Sequence, residues 1–257
     1  KMQELIALLD DRNDITFILL FVKMSVVIGF FPYFNFTSFS NNVKAPLVLL
    51  LTLVFYPMTP LYSLAINLPT VVMAVFFEVL FGFIAAFLLR IVFDIVAHAS
   101  ELISLTMGLS MASVFDPLTQ NQSTVIGQVF SLVAILVFLS FGGDHLIILF
   151  AHHSLSVNPI GTIDLGSEVG EYILLQMKNF FVIGFSMAFP VLAVGLLGDL
   201  IFGMLMKTVP QFNLLVLGFP IKIALSTVVI LAVFASVMIL FENMFLEAYN
   251  GLGVLYQ

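Results

Sequence analysis

Arg90, Asp94, His98 and Glu101 recur at intervals of four, four and three residues in an otherwise apolar run. At about 100° per residue, a helix brings all four onto one stripe roughly 80° wide. Two kinds of chemistry suit such a stripe. Acid, base and imidazole strung along a water-lined path make a proton relay, whereas the same groups facing a neighbouring helix make ion pairs and hydrogen bonds that lock the two together. Spacing does not choose between them. Lys23, Glu78, Lys178, Asp199 and Lys222 also lie within or at the edges of hydrophobic segments, where an ionised group is expensive unless paired or hydrated.

Other chemistry has little foothold. His98, His145 and the pair His152–His153 invite a metal or haem reading, but there is no HExxH, and adjacent histidines on a helix point about 100° apart. No Walker loop, GxSxG elbow or GxGxxG occurs. Zero cysteines exclude disulfides, thiolate ligands and cysteine nucleophiles. The sequons at Asn35 and Asn121 are read as coincidental. Neither nucleotide chemistry nor acyl transfer is expected, and no metal or cofactor.

The elements that carry these residues are set by hydropathy. The 257 residues are 61% hydrophobic and only 9% charged, with a mean hydropathy of +1.19, against roughly a quarter charged in soluble domains. A soluble core of this length could not hide so much apolar surface, so an all-α polytopic membrane protein is expected. The first apolar run begins near Ile15, after Glu4, Asp10, Asp11 and Asp14 instead of a basic n-region, so the apolar segments are read as mature structure. The net charge of -7 includes no basic patch that would point to nucleic acid or anionic lipid. Twelve methionines and 29 phenylalanines without tryptophan suit adaptable packing.

Along the chain, Ile15 to Phe31 reads as a helix ended by Pro32, and Asn35 to Lys44 as a polar linker. A helix from about Pro46 to Phe55 precedes a connector carrying Pro57, Pro60 and Pro69. Thr70 to Met107 has no proline; as one helix it would reach roughly 55 Å, against a bilayer core of about 30 Å. It must tilt, break or project beyond the membrane. Val125 to Phe141 is a helix stopped by Gly142–Gly143–Asp144, with a further turn or short helix over His145 to His153. The loop Ser154 to Gly170 is the strongest boundary. Beyond it, helices of about Glu171 to Lys207 and Asn213 to Tyr249 form an antiparallel hairpin about Pro210, and Pro190 and Pro220 are expected to kink its arms.

Met107 to Thr124 interrupts this pattern. Gly108, Ser110, Ala112 and Ser113 are small and let backbones approach; Met107, Leu109, Met111, Val114 and Phe115 are soft or bulky and apolar. Asp116–Pro117 ends any helix, and Leu118 to Thr124 is almost wholly polar and uncharged. The composition fits a solvated turn or a loop that dips into a cavity or pore.

The run Glu101-Leu-Ile-Ser-Leu-Thr-Met-Gly-Leu-Ser-Met-Ala-Ser-Val-Phe-Asp-Pro117 resembles the E-x-I-x-x-x-M-G-L-S-x-A-x-x-x-D-P run of the FliR family. Pro210-Gln211 through Gly218-Phe219-Pro220 resembles the family's P-Q-x-x-x-x-x-x-G-x-P hairpin turn. His145 with Leu146, and Pro159–Ile160–Gly161, are weaker matches, and Lys23 stands where the family more often has arginine. The injectisome relative of the SctT type shares these motifs. The resemblance covers essentially the whole chain, and overall similarity leans to the flagellar system.

That resemblance implies a non-enzymatic subunit of the flagellar type III export gate in the bacterial inner membrane, at the basal body. It implies a single R copy assembled with FliP and FliQ, beside FlhB and FlhA, passing unfolded export substrates towards the proximal rod. Residues 1–165 would imitate FliP and 166–257 would form a FliQ-like hairpin. The plug loop would span 108–124, with Met107 through Pro117 at the gate, and Pro210, Gln211, Gly218, Phe219 and Pro220 would pack on partners. Long kinked hairpins, several broken by proline, would rest on partner subunits and contact lipid in part. A proton-coupled transporter built on Glu78, Arg90, Asp94 and Asp199 is the alternative in another class; a scaffold without a gate is a third.

Overall fold

The computed structural model describes residues 11–31, 41–109, 124–162, 168–209 and 214–256. These form α1 (Asp11–Phe30), α2 (Asn41–Phe55), α3 (Leu68–Met107), α4 (Val125–Ser140), α5 (Gly143–Val157), α6 (Glu168–Thr208) and α7 (Phe219–Gly251). A 3-10 turn follows α2 at Tyr56–Met58, a π turn precedes α7 at Leu214–Gly218, and a 3-10 turn closes at Leu252–Tyr256. No strand occurs among the described residues. Among the described residues four helical stretches, Arg12–Phe30, Leu68–Met107, Glu168–Thr208 and Val216–Leu255, are long and apolar enough to cross a membrane. The chain is an all-α membrane protein, as hydropathy required: a helix satisfies its own backbone polar groups where water is absent.

Proline has different consequences at different positions. Pro46 lies inside α2, which starts at Asn41, and Pro190 lies inside an unbroken α6. Pro220 is the second residue of α7 and is preceded without a break by the π turn, the kind of local irregularity that accommodates a proline ring and its missing N–H. Pro57 and Pro60 do end a helix, and residues 59–67 form the expected connector. α3 runs unbroken for 40 residues, about 60 Å. Of the alternatives for it, a break is excluded. α5 is a full helix through Val157 where a turn or short helix was expected, and it is parted from α4 by Gly142 in the left-handed region at φ 75°.

The chain folds as two compact units, neither continuous in sequence. One draws on Lys1–Arg90, Gly142–Leu174 and Glu247–Gln257, the other on Ile91–Phe141 and Leu175–Leu246. In the first, Leu20, Met24 and Ile28 recur every four residues along α1 and bury a stripe against Val48, Phe55, Tyr62, Ala74, Ala151 and Leu155. The connector is tied to α1 by polar bonds: Tyr62 N–H donates to Thr16 Oγ1 at 2.9 Å, and Arg12 Nη1 donates to the Tyr62 carbonyl at 3.3 Å. In the second, phenylalanines pack edge to face, Phe93 at 5.1 Å from Phe241 and Phe138 at 5.1 Å from Phe245. Much of the hairpin is left uncovered: 28% of the most apolar stretch in α6 and 22% of that in α7 is buried, against 44% in α3. Lipid or another protein must cover those faces.

Candidate functional site

α3 ends in a Schellman motif built on Gly108. The Gly108 N–H donates to the Leu105 carbonyl and the Leu109 N–H to the Ser104 carbonyl, both at 3.1 Å, which satisfies two of the orphan acceptors of the last turn. Gly108 has φ +81°, a conformation glycine adopts without strain. A Cβ there would lie 2.7 Å from Phe219 Cε1 and 2.9 Å from Cδ1. The aromatic ring at the start of α7 therefore rests on bare backbone where the expected plug segment begins. Thr124 holds the other end: as N-cap of α4, its Oγ1 accepts from the Gly127 N–H at 3.1 Å.

Met107 is buried, Gly108 and Leu109 are half-buried. Ser110, Met111, Ala112, Ser113, Val114, Phe115, Asp116 and Pro117 lie outside the described residues, as do Pro210 and Gln211. Gly218 is buried, Phe219 half-buried and Pro220 exposed. Two stretches more than a hundred residues apart, each singled out in the sequence, thus meet through Gly108 and Phe219.

The stripe on α3 is one face, but the chain alone does not bury it. Arg90 and Glu101 are exposed, Asp94 and His98 half-buried. His98 is covered by α6: its ring centroid is 5.0 Å from that of Phe180, and a Cβ on Gly184 would come 2.9 Å from its Cδ2. Further along, Gly195 leaves room for Thr106, whose Cγ2 would overlap an added Cβ. Lys222 Nζ reaches across the hairpin to both oxygens of Asp199, at 2.7 and 2.8 Å. Asp199 is more than half exposed, so this pair is worth little by itself and mainly sets the register of the two arms. Gly195→Leu is expected to wedge α6 off α3 and lower the unfolding midpoint in detergent, whereas Gly203→Leu, with nothing within 4 Å of its Cβ position, leaves it nearly unchanged. Equal midpoints for the two would show that α6 does not need the close approach.

The second polar centre was visible in the sequence only as separate charges. Lys23 Nζ lies 3.3 Å from Glu78 Oε2, with side-chain exposures of 3% and 2%, so both charges are inside the chain. Glu78 Oε1 accepts the backbone N–H of Gly161 at 2.8 Å, and the Lys23 ammonium stands 4.8 Å from the centroid of the Phe81 ring. Gly82 permits the approach, since a Cβ there would meet Val26 Cγ1 at 3.0 Å. α1, α3 and the turn at Gly161 are joined at one carboxylate. The clue available earlier was that Lys23 and Glu78 are lone charges of opposite sign in separate apolar helices; spacing along one helix could not pair them.

The family model described as bacterial export proteins, family 1, matches residues 15–248. The chain belongs to that family. Similar curated proteins carry the name flagellar biosynthetic protein FliR. That of Pectobacterium carotovorum subsp. carotovorum is 29% identical over 233 residues, covering 91% of this chain and 89% of the relative. That of Bacillus subtilis (strain 168) is 30% identical over 234 residues, covering 89% and 90%, and that of Escherichia coli (strain K12) is 25% identical over 232, covering 90% and 89%. Within this export protein, the matched region contains both structural junctions: the Gly108–Phe219 contact and the Lys23–Glu78–Gly161 link.

Proposed function

We propose that this chain is the R subunit of a flagellar protein export gate and that residues 108–124 form its plug. Membership of the export family supports a protein export role, and the FliR name of its relatives supports the flagellar system over the injectisome. In this reading residues 1–165 occupy a FliP-like place and 166–257 a FliQ-like one, in a single-copy subunit seated with FliP, FliQ, FlhB and FlhA in the inner membrane. Faces of α6 and α7 left bare by the chain are then covered largely by those neighbours.

The observation that carries the plug role is the capped end of α3 against Phe219. A loop that must hold a seal and yet yield to an unfolded substrate needs firm ends and an adaptable middle. Its first end is a glycine-capped helix pressed by an aromatic ring, its second a threonine-capped one. Between them Met111, Val114 and Phe115 are suited to closing a narrow passage by dewetting, with Asp116–Pro117 bending the chain towards its polar half. Arg90, Asp94, His98 and Glu101 then face partner helices or water, and no catalytic chemistry is asked of them.

Replacing Gly108 to Phe115 by a shorter Gly-Ser loop is expected to raise ion leakage through membranes holding the assembled complex, with assembly retained on a native gel. Background leakage together with normal secretion would leave a scaffold without a gate. Substrate uptake by the isolated chain in liposomes would instead favour a transporter.

A further inference from the structure

We propose that an ordered water molecule sits inside the first unit, beside the Lys23–Glu78 pair, and bridges Glu78 Oε2 to the Tyr62 hydroxyl. Both oxygens are fully enclosed, and neither has a hydrogen-bond partner among the described residues. The Lys23 contact at 3.3 Å neutralises Oε2 without meeting hydrogen-bond geometry, and an ammonium has three N–H donors to place. Stranded polar atoms are rare in folded interiors, and where they cluster a bound water usually satisfies them.

Both side chains border the turn at Gly161. Its N–H holds Glu78 Oε1 at 2.8 Å, while the edge of the Tyr62 ring lies against its α-carbon, with Cε2 2.6 Å from the position a Cβ would take. Ala74 Cβ is 3.1 Å from that same position. Ala74 precedes Glu78 by one helical turn on the same face of α3, so the Tyr62 ring and the Glu78 carboxylate meet the same glycine from one side of that helix. Gly161 has φ +85°, and any side chain there would push Tyr62 aside. Glycine at this position keeps the polar space open.

A water with Tyr62 Oη, Glu78 Oε2 and Lys23 Nζ as partners has the two to four bonds that such sites require. It completes a latch across four segments: α1 through Lys23, the connector through Tyr62, α3 through Glu78 and the turn through Gly161.

The test is an experimental map of the full-length chain good enough to place water, paired with a double-mutant cycle on the same protein in detergent. Density within hydrogen-bond distance of both Glu78 Oε2 and Tyr62 Oη is expected. Tyr62→Phe should lower the unfolding midpoint in the wild-type background and leave it unchanged in the Lys23→Met/Glu78→Leu background, where the water has lost its other ligands. Equal penalties in the two backgrounds overturn the proposal. So does a map in which Tyr62 Oη bonds Glu78 directly or turns to another protein group, a result that stands even where the double variant fails to fold.

Discussion

Gly108→Val is expected to destabilise the end of α3 and to abolish secretion. Valine must enter the left-handed region that Gly108 occupies at φ +81°, at a cost of about 1–3 kcal/mol for a non-glycine residue and more when it is β-branched. Its Cβ would also fall 2.7 Å from Phe219, a ring with no flexible tip to swing away. The chain relieves both by unwinding the last turn, which frees the Ser104 and Leu105 carbonyls and moves the root of the segment proposed as the plug. Gly108→Asn separates the two causes, because asparagine tolerates the left-handed conformation but still meets the ring. The expected order of unfolding midpoints is wild type, then asparagine, then valine, with Phe219→Leu recovering part of the asparagine loss. Valine behaving like wild type in both midpoint and secretion would remove the reason for placing a firm hinge at this residue.

Glu78→Ala is expected to cost about 3–5 kcal/mol, the usual penalty for leaving one member of a buried ion pair alone. Lys23 has no second carboxylate described near it, the Gly161 N–H loses its acceptor, and α1 would carry a bare ammonium through an apolar core. Lys23→Met strands the carboxylate in the same way. The double change Lys23→Met with Glu78→Gln should be much milder than either, since removing both charges together is often neutral, and glutamine can still accept from Gly161. Unfolding midpoints of the four proteins, with the amount recovered from membranes, decide this. Additive losses in the double variant would mean that the two residues do not act as a pair.

Hydropathy carried most of the fold. Apolar runs long enough to cross a membrane, the connector at Pro57 and Pro60, and the stop at Gly142 were legible because each depends on neighbours within a few residues. Pro190 stands inside a 41-residue helix that continues through it, since the loss of one hydrogen bond is small beside the packing of so long a helix. The stripe Arg90, Asp94, His98 and Glu101 lies along the continuous helix α3, with Arg90 and Glu101 exposed within the chain and Asp94 and His98 half-buried, because exposure depends on what lies opposite. Period reveals direction and nothing about distance.

The unusual composition of Met107 to Thr124 marked a special segment, and the lone charges marked costs that something had to meet. Pairing was another matter. That Phe219 would press on Gly108, or that Lys23 would find Glu78 and Glu78 the Gly161 N–H, requires residues up to 111 positions apart to come within a few ångströms. Such contacts are set by how whole helices pack, through close approaches at Gly82, Gly184 and Gly195. Local sequence chooses helices because their hydrogen bonds are local; which charge meets which is chosen by packing, because only the assembled core brings distant side chains out of water together.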